Sequence, residues 1–175
     1  MHIRNSFFRL MILALIGLFV SGCILSATFV IVEQFYLAPK GGFYFYQIDL
    51  TTNDTWKDHN EDIQFIEAVG FEFYIDSDLE EDTRFSVYVD DYSGIGSDPT
   101  SIPESADVVL DSLTIQTGTT KISYSRTVGI VQHLDRLKKL AKTGKFDVYT
   151  TSSSGSIGES FIIDSAKVIV TLSAG

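Results

Sequence analysis

The stretch Val69-Gly70-Phe71-Glu72-Phe73-Tyr74-Ile75 places an apolar side chain at every second position. Because side chains along a β-strand point alternately to opposite faces, this pattern predicts a strand with one buried face. We expect Phe71 and Phe73 to lie in the core. The stretch ends a longer strand-like segment, residues 63–75, so the chain contains at least one well-defined amphipathic strand.

A second segment with the same alternation follows at residues 84–90, where Phe85 and Val87 are expected in the core. The residues between the two segments, 77–82, are polar and predict a hairpin loop. Residues 108–115 and 121–124 are predicted to form another strand pair around Gly118. Further strands are predicted at residues 28–35, 43–50, 145–150 and 161–172.

Two short helices interrupt the strands. Residues 51–62 predict one, with Thr or Asn as its N-cap and Trp56 on its inner side. Residues 132–143 predict the other, because Leu134, Leu137 and Leu140 form an apolar stripe. Many short strands and few helices indicate a mainly β fold, an antiparallel β-sandwich of immunoglobulin-like or similar architecture. The predicted organisation is a signal segment, residues 1–22, and one domain, residues 23–175.

Alternation within residues 43–50 also predicts a binding surface. If Phe45 faces the core, Tyr44 and Tyr46 must face outwards. The same argument places Tyr74 and Tyr88 outside on other strands. Tyrosine gives broad contact area at low entropic cost, so these four residues predict a face for a protein or glycan, adjoining the long loop at residues 91–106. The alternative is ordinary cross-strand pairing, or cover by the helix at 132–143.

The charge of the chain argues against nucleic acid as a partner. There are 13 Lys and Arg against 23 Asp and Glu, and the net charge is −10. Removal of residues 1–22, with Arg4 and Arg9, makes it −12. Affinity for nucleic acid depends on basic side chains that neutralise phosphates. A surface this acidic repels the phosphates of nucleic acid.

The N-terminal residues predict a targeting signal. Residues 1–9 are basic, residues 10–20 are apolar, and Val20-Ser21-Gly22-Cys23 follows, with Cys23 the sole cysteine. This motif resembles the bacterial lipobox. The resemblance implies cleavage before Cys23, lipid on Cys23, and attachment to a membrane of the cell envelope. Ile24 rather than Asp follows the cysteine, which favours the outer membrane where a host has two.

Two alternatives to the lipoprotein interpretation remain. Apolar character continues past Cys23, and residues 10–32 are long enough to span a bilayer as an uncleaved helix. Against this, residues 28–32 are β-branched and aromatic, which fits a strand. The second alternative is ordinary secretion.

No catalytic or metal-binding motif is found in the sequence. No Cys or His pair has zinc spacing, and no G-x-S-x-G is present. Residues 76–82 are acidic, but Glu81 replaces the turn glycine that an EF-hand needs. Weak calcium candidates are Asp76 and Asp78, joined by Asp90 and Asp91 if the fold brings them together. The sequence therefore predicts an envelope binding or assembly module without cofactor. The alternatives are an envelope hydrolase or sugar-processing enzyme, and a structural domain anchored by an uncleaved membrane helix.

Overall fold

A computed structural model describes residues 27–40, 42–153 and 161–174. These residues form nine strands and three helices. The strands are β1 (Ala27–Phe35), β2 (Ala38–Pro39), β3 (Phe43–Asp49), β4 (Ile63–Ser77), β5 (Thr83–Asp91), β6 (Asp107–Ile115), β7 (Gly118–Ile122), β8 (Lys145–Ser152) and β9 (Phe161–Ala174). The helices are α1 (Asp54–His59), α2 (Tyr124–Ile130) and α3 (Leu134–Thr143), and a 3₁₀ turn, Leu50–Thr52, precedes α1.

The strands form two sheets. The four-stranded sheet has the order β1-β9-β4-β7, and the five-stranded sheet has the order β2-β3-β8-β5-β6. Every pairing is antiparallel. The mainly β, antiparallel sandwich predicted from the sequence is confirmed.

The apolar core lies between the two sheets. The ring of Phe71 of β4 stacks on that of Phe73, and the ring centroids of Phe73 and Phe85 of β5 are 5.1 Å apart in an edge-to-face arrangement. Val87 is also fully buried there. The predicted inward phase of β4 and β5 is confirmed, because polar residues separate the apolar ones and leave a single choice of face.

Two predicted strand pairings are wrong. β4 and β5 lie in different sheets, so residues 78–82 cross from one sheet to the other and do not form a hairpin loop. β6 and β7 are also in different sheets, although only Gln116 and Thr117 separate them. A short polar connection looks the same in sequence whether it turns within one sheet or crosses between two.

The predicted phase of β3 is wrong as well. Tyr44 is 3% exposed and faces the inter-sheet core, where its hydroxyl donates to the Phe161 carbonyl oxygen at 2.7 Å. Tyr46 points the same way and stacks on Phe35 with ring centroids 5.1 Å apart. Phe45 is buried as predicted, but on the opposite, outer face of the five-stranded sheet. Both faces of β3 are covered, so burial does not select one phase.

The two predicted helices are confirmed in shortened form. Asn53 caps α1 by accepting from the Thr55 amide at 3.0 Å, and Trp56 is buried. α3 ends at Gly144, whose φ of 80° is the left-handed conformation that glycine adopts readily. Leu137 and Leu140 of α3 pack into the core.

Helix α2 was not predicted, and Tyr124 was expected to end a strand. α2 lies against β4 beyond the point where β7 stops pairing. The Thr127 hydroxyl accepts from the Phe71 amide at 2.9 Å and donates to the Phe71 carbonyl at 2.7 Å. One side chain thus replaces a neighbouring strand at this residue and satisfies both backbone groups.

None of the helices in the described ranges combines the length and apolar character needed to cross a bilayer.

Candidate binding surfaces

The four predicted site tyrosines do not share a face. Tyr44 and Tyr46 are inside the sandwich. Tyr74 lies on the outer face of the four-stranded sheet, and Tyr88 lies on the outer face of the five-stranded sheet. The prediction that Tyr44, Tyr46, Tyr74 and Tyr88 form one binding face is therefore wrong. It assumed that the three strands lie in one sheet and that all four tyrosines point outwards.

Much of the outer face of the five-stranded sheet is covered by the chain itself. The loop at residues 92–106 folds back over β3, β8 and β5, and Ile102 packs on the cluster of Phe43, Phe45 and Tyr149. This loop has no regular secondary structure, as the sequence predicted. It serves here as a cover for one sheet.

A buried carboxylate holds the start of that loop. Asp147 of β8 is fully buried and accepts from the Ser93 amide at 3.1 Å and from the Gln47 side-chain amide at 3.3 Å. Gln47 also donates to the Gly94 carbonyl at 2.8 Å. Burial, followed by the nearby Asp147 carboxylate, raises the pKa of the Tyr149 hydroxyl. The phenol therefore stays protonated and donates to Asp147 at 3.4 Å.

An ion-pair network ties the two ends of the loop together. Arg136 of α3 lies 2.9 Å from Asp91, 3.4 Å from Asp107 and 3.6 Å from Asp90. The hydrogen bond to Asp91 is the largest cause of a raised Arg136 pKa. Ser105 of the loop donates to Asp90 at 2.6 Å. Asp90 and Asp91 thus bind an arginine and the loop, which gives them a structural role.

Asp90 and Asp91 could join the weak calcium candidates Asp76 and Asp78 only if the fold brought the two pairs together, and it separates them. Asp76 and Asp78 lie where β4 leaves its sheet, before β5 begins, whereas Asp90 and Asp91 end β5. A strand of nine residues is roughly 25–30 Å long. Across the described residues, no group of three or more His, Cys, Asp or Glu side chains is placed to hold a metal ion.

The outer face of the four-stranded sheet is only partly covered. Helix α2 covers its β4 side: Tyr124 and Val128 lie over Gly70, where a Cβ atom would come within 2.7 Å of Val128 Cγ2 and 2.8 Å of Tyr124 Cε2. The β1 and β9 side remains exposed. Val30 is 55% exposed and Val32 48%, because they alternate with the buried Ile31.

Charged residues border this exposed area. Glu72 of β4 accepts from Lys167 of β9 at 3.0 Å and lies 3.3 Å from Lys121 of β7. The hydrogen bond from Lys167 is the largest cause of a lowered Glu72 pKa. Lys121 also lies 4.9 Å from the centre of the Tyr74 ring. Of the predicted tyrosines, Tyr74 alone borders an uncovered face.

We call the exposed area formed by Val30, Val32 and the neighbouring Ile169 the β1 face. Val32 pairs with Ile169 across β1 and β9. Sequence reasoning missed this surface, although the signal was present: in a strand with Ile31 buried, its two valine neighbours must point the other way. Among the described residues, strand β1 is also an edge strand, paired with β9 on one side.

A shallow cavity of about 440 Å³ lies at one corner of the sandwich, between the start of β4 and helix α3. Phe65 and Gln64 line it with Lys138, Lys139 and Lys142 of α3. Its lining includes one carboxylate, Asp135. A glycosidase site needs two carboxylates, so this cavity does not supply that chemistry.

Cys23 and the lipobox-like motif lie outside the described residues. Strand β1 begins at Ala27, four positions after Cys23. Four residues reach at most roughly 14 Å.

Comparison with known proteins gives no family. No protein-family model and no curated protein matches this chain. Among solved structures it is similar to a chain in a crystal structure of the T13 IBDV viral particle, with 13% identity and a TM-score of 0.36. The match covers 85% of this chain and 35% of the other, so this chain spans about a third of that protein's length. A likeness at this level carries no argument about function.

Proposed function

We propose that this chain is an envelope lipoprotein, anchored by lipid on Cys23, that binds or assembles with another envelope protein through the β1 face and the open edge of β1. One observation carries the proposal: the chain covers much of the outer face of one sheet with its own loop and leaves the β1 side of the other sheet exposed.

The chemistry of the β1 face favours a protein over a glycan. Its exposed side chains are aliphatic, and apolar area of this kind is removed from water when proteins associate. The aromatic residues that were expected to contact a sugar are largely inside the sandwich or on the other sheet.

The open edge of β1 supplies a second means of recognition. A nine-residue edge strand presents backbone amide and carbonyl groups that an extended segment of a partner pairs with. Its single charged residue is Glu33, and one charge gives weak protection against such pairing. Edge and face together provide backbone hydrogen bonds and an apolar contact.

The anchor is tested first, by intact-mass measurement on the membrane-extracted chain. We expect a polypeptide that starts at Cys23 and carries lipid, and expect Cys23→Ala to abolish that product. A chain that begins at Met1 contradicts the lipoprotein assignment and supports an uncleaved membrane helix. Cleavage without lipid supports ordinary secretion.

The binding surface is tested by photo-crosslinking in living cells. A photoreactive amino acid at Val32 should capture an envelope protein, whereas the same probe at Arg84, exposed on the other sheet, should not. The double substitution Val30→Ser/Val32→Ser should reduce capture by a probe at the neighbouring Gln34. Equal capture from Val32 and Arg84 contradicts the assignment of the β1 face.

A further inference from the structure

The corner that holds Phe65 lies at the end of the sandwich where the chain leaves for its N-terminus. In the four-stranded sheet, Ala27 and Ile63 both pair with Ala174, and Thr28 and Phe65 both pair with Ser173. Phe65 is therefore level with the first residues of β1. Two strand spacings, about 10 Å, separate it from β1.

The side chains at this corner suit a bilayer surface. Phe65 is 67% exposed, and Lys138, Lys139 and Lys142 line the same cavity beside it. Lys142 reaches back to the Gln64 carbonyl at 3.5 Å, which keeps α3 close to the start of β4. Asp135 also lines the cavity, so its three lysines and one carboxylate give a net charge of +2 in a chain whose net charge is −10. Anionic headgroups attract lysines, and aromatic side chains enter the bilayer interface.

The short length of chain between Cys23 and Ala27 brings this corner close to the membrane surface. With at most roughly 14 Å between Cys23 and Ala27, lipid on Cys23 holds the corner close to the headgroup layer, which is itself about 5–8 Å thick on each side. The geometry points to a lipid-contact site at this corner, where Phe65 enters the interface and the three lysines bind the phosphates of anionic lipids. This inference rests on the proposed anchoring.

Contact at this corner also fixes the orientation of the domain. The four strands of the sheet then stand away from the membrane, and the β1 face looks sideways, parallel to the bilayer. A lateral surface of that kind is accessible to a partner embedded in or attached to the same membrane.

The test uses the full lipidated chain in vesicles of equal parts phosphatidylcholine and phosphatidylglycerol. With Cys23 acylated, Gln64→Cys provides a unique thiol for a fluorophore at the corner, and Glu80→Cys provides the matched probe at the opposite end of β4. Lipids with a quencher on the headgroup should quench the Gln64 probe strongly and the Glu80 probe weakly.

Charge reversal tests the lysines. Each lysine near an anionic bilayer strengthens contact about fivefold, so Lys139→Glu/Lys142→Glu should shift the ratio of contacting to lifted orientations by about 25-fold or more. The control Arg84→Glu/Arg126→Glu makes the same change in net charge at exposed positions elsewhere and should leave the quenching unchanged.

The outcomes separate the two proposals. Equal quenching of the Gln64 and Glu80 probes, or no effect of the lysine reversal, overturns the lipid-contact site while the anchor stands. A chain that carries no lipid and fails to float with vesicles overturns the proposed anchoring itself.

Discussion

Substitution of Gly70 by alanine tests how closely helix α2 packs on the four-stranded sheet. A Cβ atom at Gly70 would lie 2.7 Å from Val128 Cγ2 and 2.8 and 2.9 Å from two ring atoms of Tyr124. Carbon atoms prefer separations of about 3.5–4.0 Å, so the added methyl overlaps its neighbours by about 1 Å. Relief requires the side chains of Val128 and Tyr124 to shift or α2 to move away from β4, and a movement of α2 would lengthen both hydrogen bonds between Thr127 and Phe71.

The expected magnitude follows from two opposing effects. Overpacking costs about 1–3 kcal/mol, and replacing a strand glycine by alanine recovers about 0.5–1 kcal/mol of backbone entropy. We therefore expect Gly70→Ala to lower the free energy of unfolding by about 1–2 kcal/mol. For a chain of this size that is a fall in melting temperature of roughly 2–8 °C.

Gly129→Ala is the matched control. Gly129 lies in the same helix, and a Cβ there meets nothing within 4 Å. Alanine is the better helix former, so this variant should gain up to about 1 kcal/mol. Glycine-to-alanine substitution is thus expected to lower the free energy of unfolding at Gly70 and to raise it at Gly129. Urea and thermal unfolding of the purified chain measure both effects.

A double-mutant cycle identifies the clash. Val128→Ala removes the nearest atom, so Gly70→Ala should cost less in that background than in the wild type. If Gly70→Ala proves as stable as the wild type, or if its cost is unchanged by Val128→Ala, the close contact between α2 and β4 is wrong.

Three further measurements test the core and its borders. Phe73→Ala removes a fully buried ring and should cost about 3–5 kcal/mol, measured by urea unfolding; a cost below 1 kcal/mol would contradict its place between the sheets. Tyr44→Ser should be strongly destabilising in the same assay, because it leaves a cavity in the core and removes a hydrogen bond of 2.7 Å. Tyr74→Ser should stay within about 1 kcal/mol of wild type, and similar costs for the two variants would argue against the observed phase of β3. Glu72 has a lowered pKa beside Lys167, so it stabilises the fold above the ordinary glutamate pKa of 4.5, and this stabilisation is lost as the pH falls through the lower folded value. Glu72→Gln should therefore make the melting temperature depend less on pH in that range.

The buried face of a strand could be predicted only where polar and apolar residues alternate along it. In β4, Glu72 separates Phe71 from Phe73, so one face is polar and the buried face follows. In β3, phenylalanine and tyrosine alternate, and both can be buried when a partner accepts the hydroxyl hydrogen. The carbonyl of Phe161 is that partner for Tyr44, and it is 117 residues away. Local sequence does not contain this information.

Helix α2 shows that secondary structure, too, can depend on contacts that the local sequence does not reveal. Its sequence contains Thr127, Val128 and Gly129 in succession, and none of these residues favours a helix. The helix is held by long-range contacts with β4, above all the paired hydrogen bonds of Thr127 to Phe71. Tertiary structure thus overrides a weak local preference, and the candidate surface depends on it because α2 decides which part of the sheet is left uncovered.

The hydroxyl of Thr127 also bears on the stoichiometry of association. On the β4 side, the four-stranded sheet ends in a five-residue strand, β7, and beyond it in a helix whose threonine occupies the backbone groups of Phe71. On the other side it ends in the nine residues of β1. Within the described residues, the four-stranded sheet therefore has one long edge, β1, and one short edge, β7. If two copies paired through their β1 edges, only the short edges would be left for further extension of the sheet. Replacement of the helix by another open strand would allow copies to add end to end into a fibre.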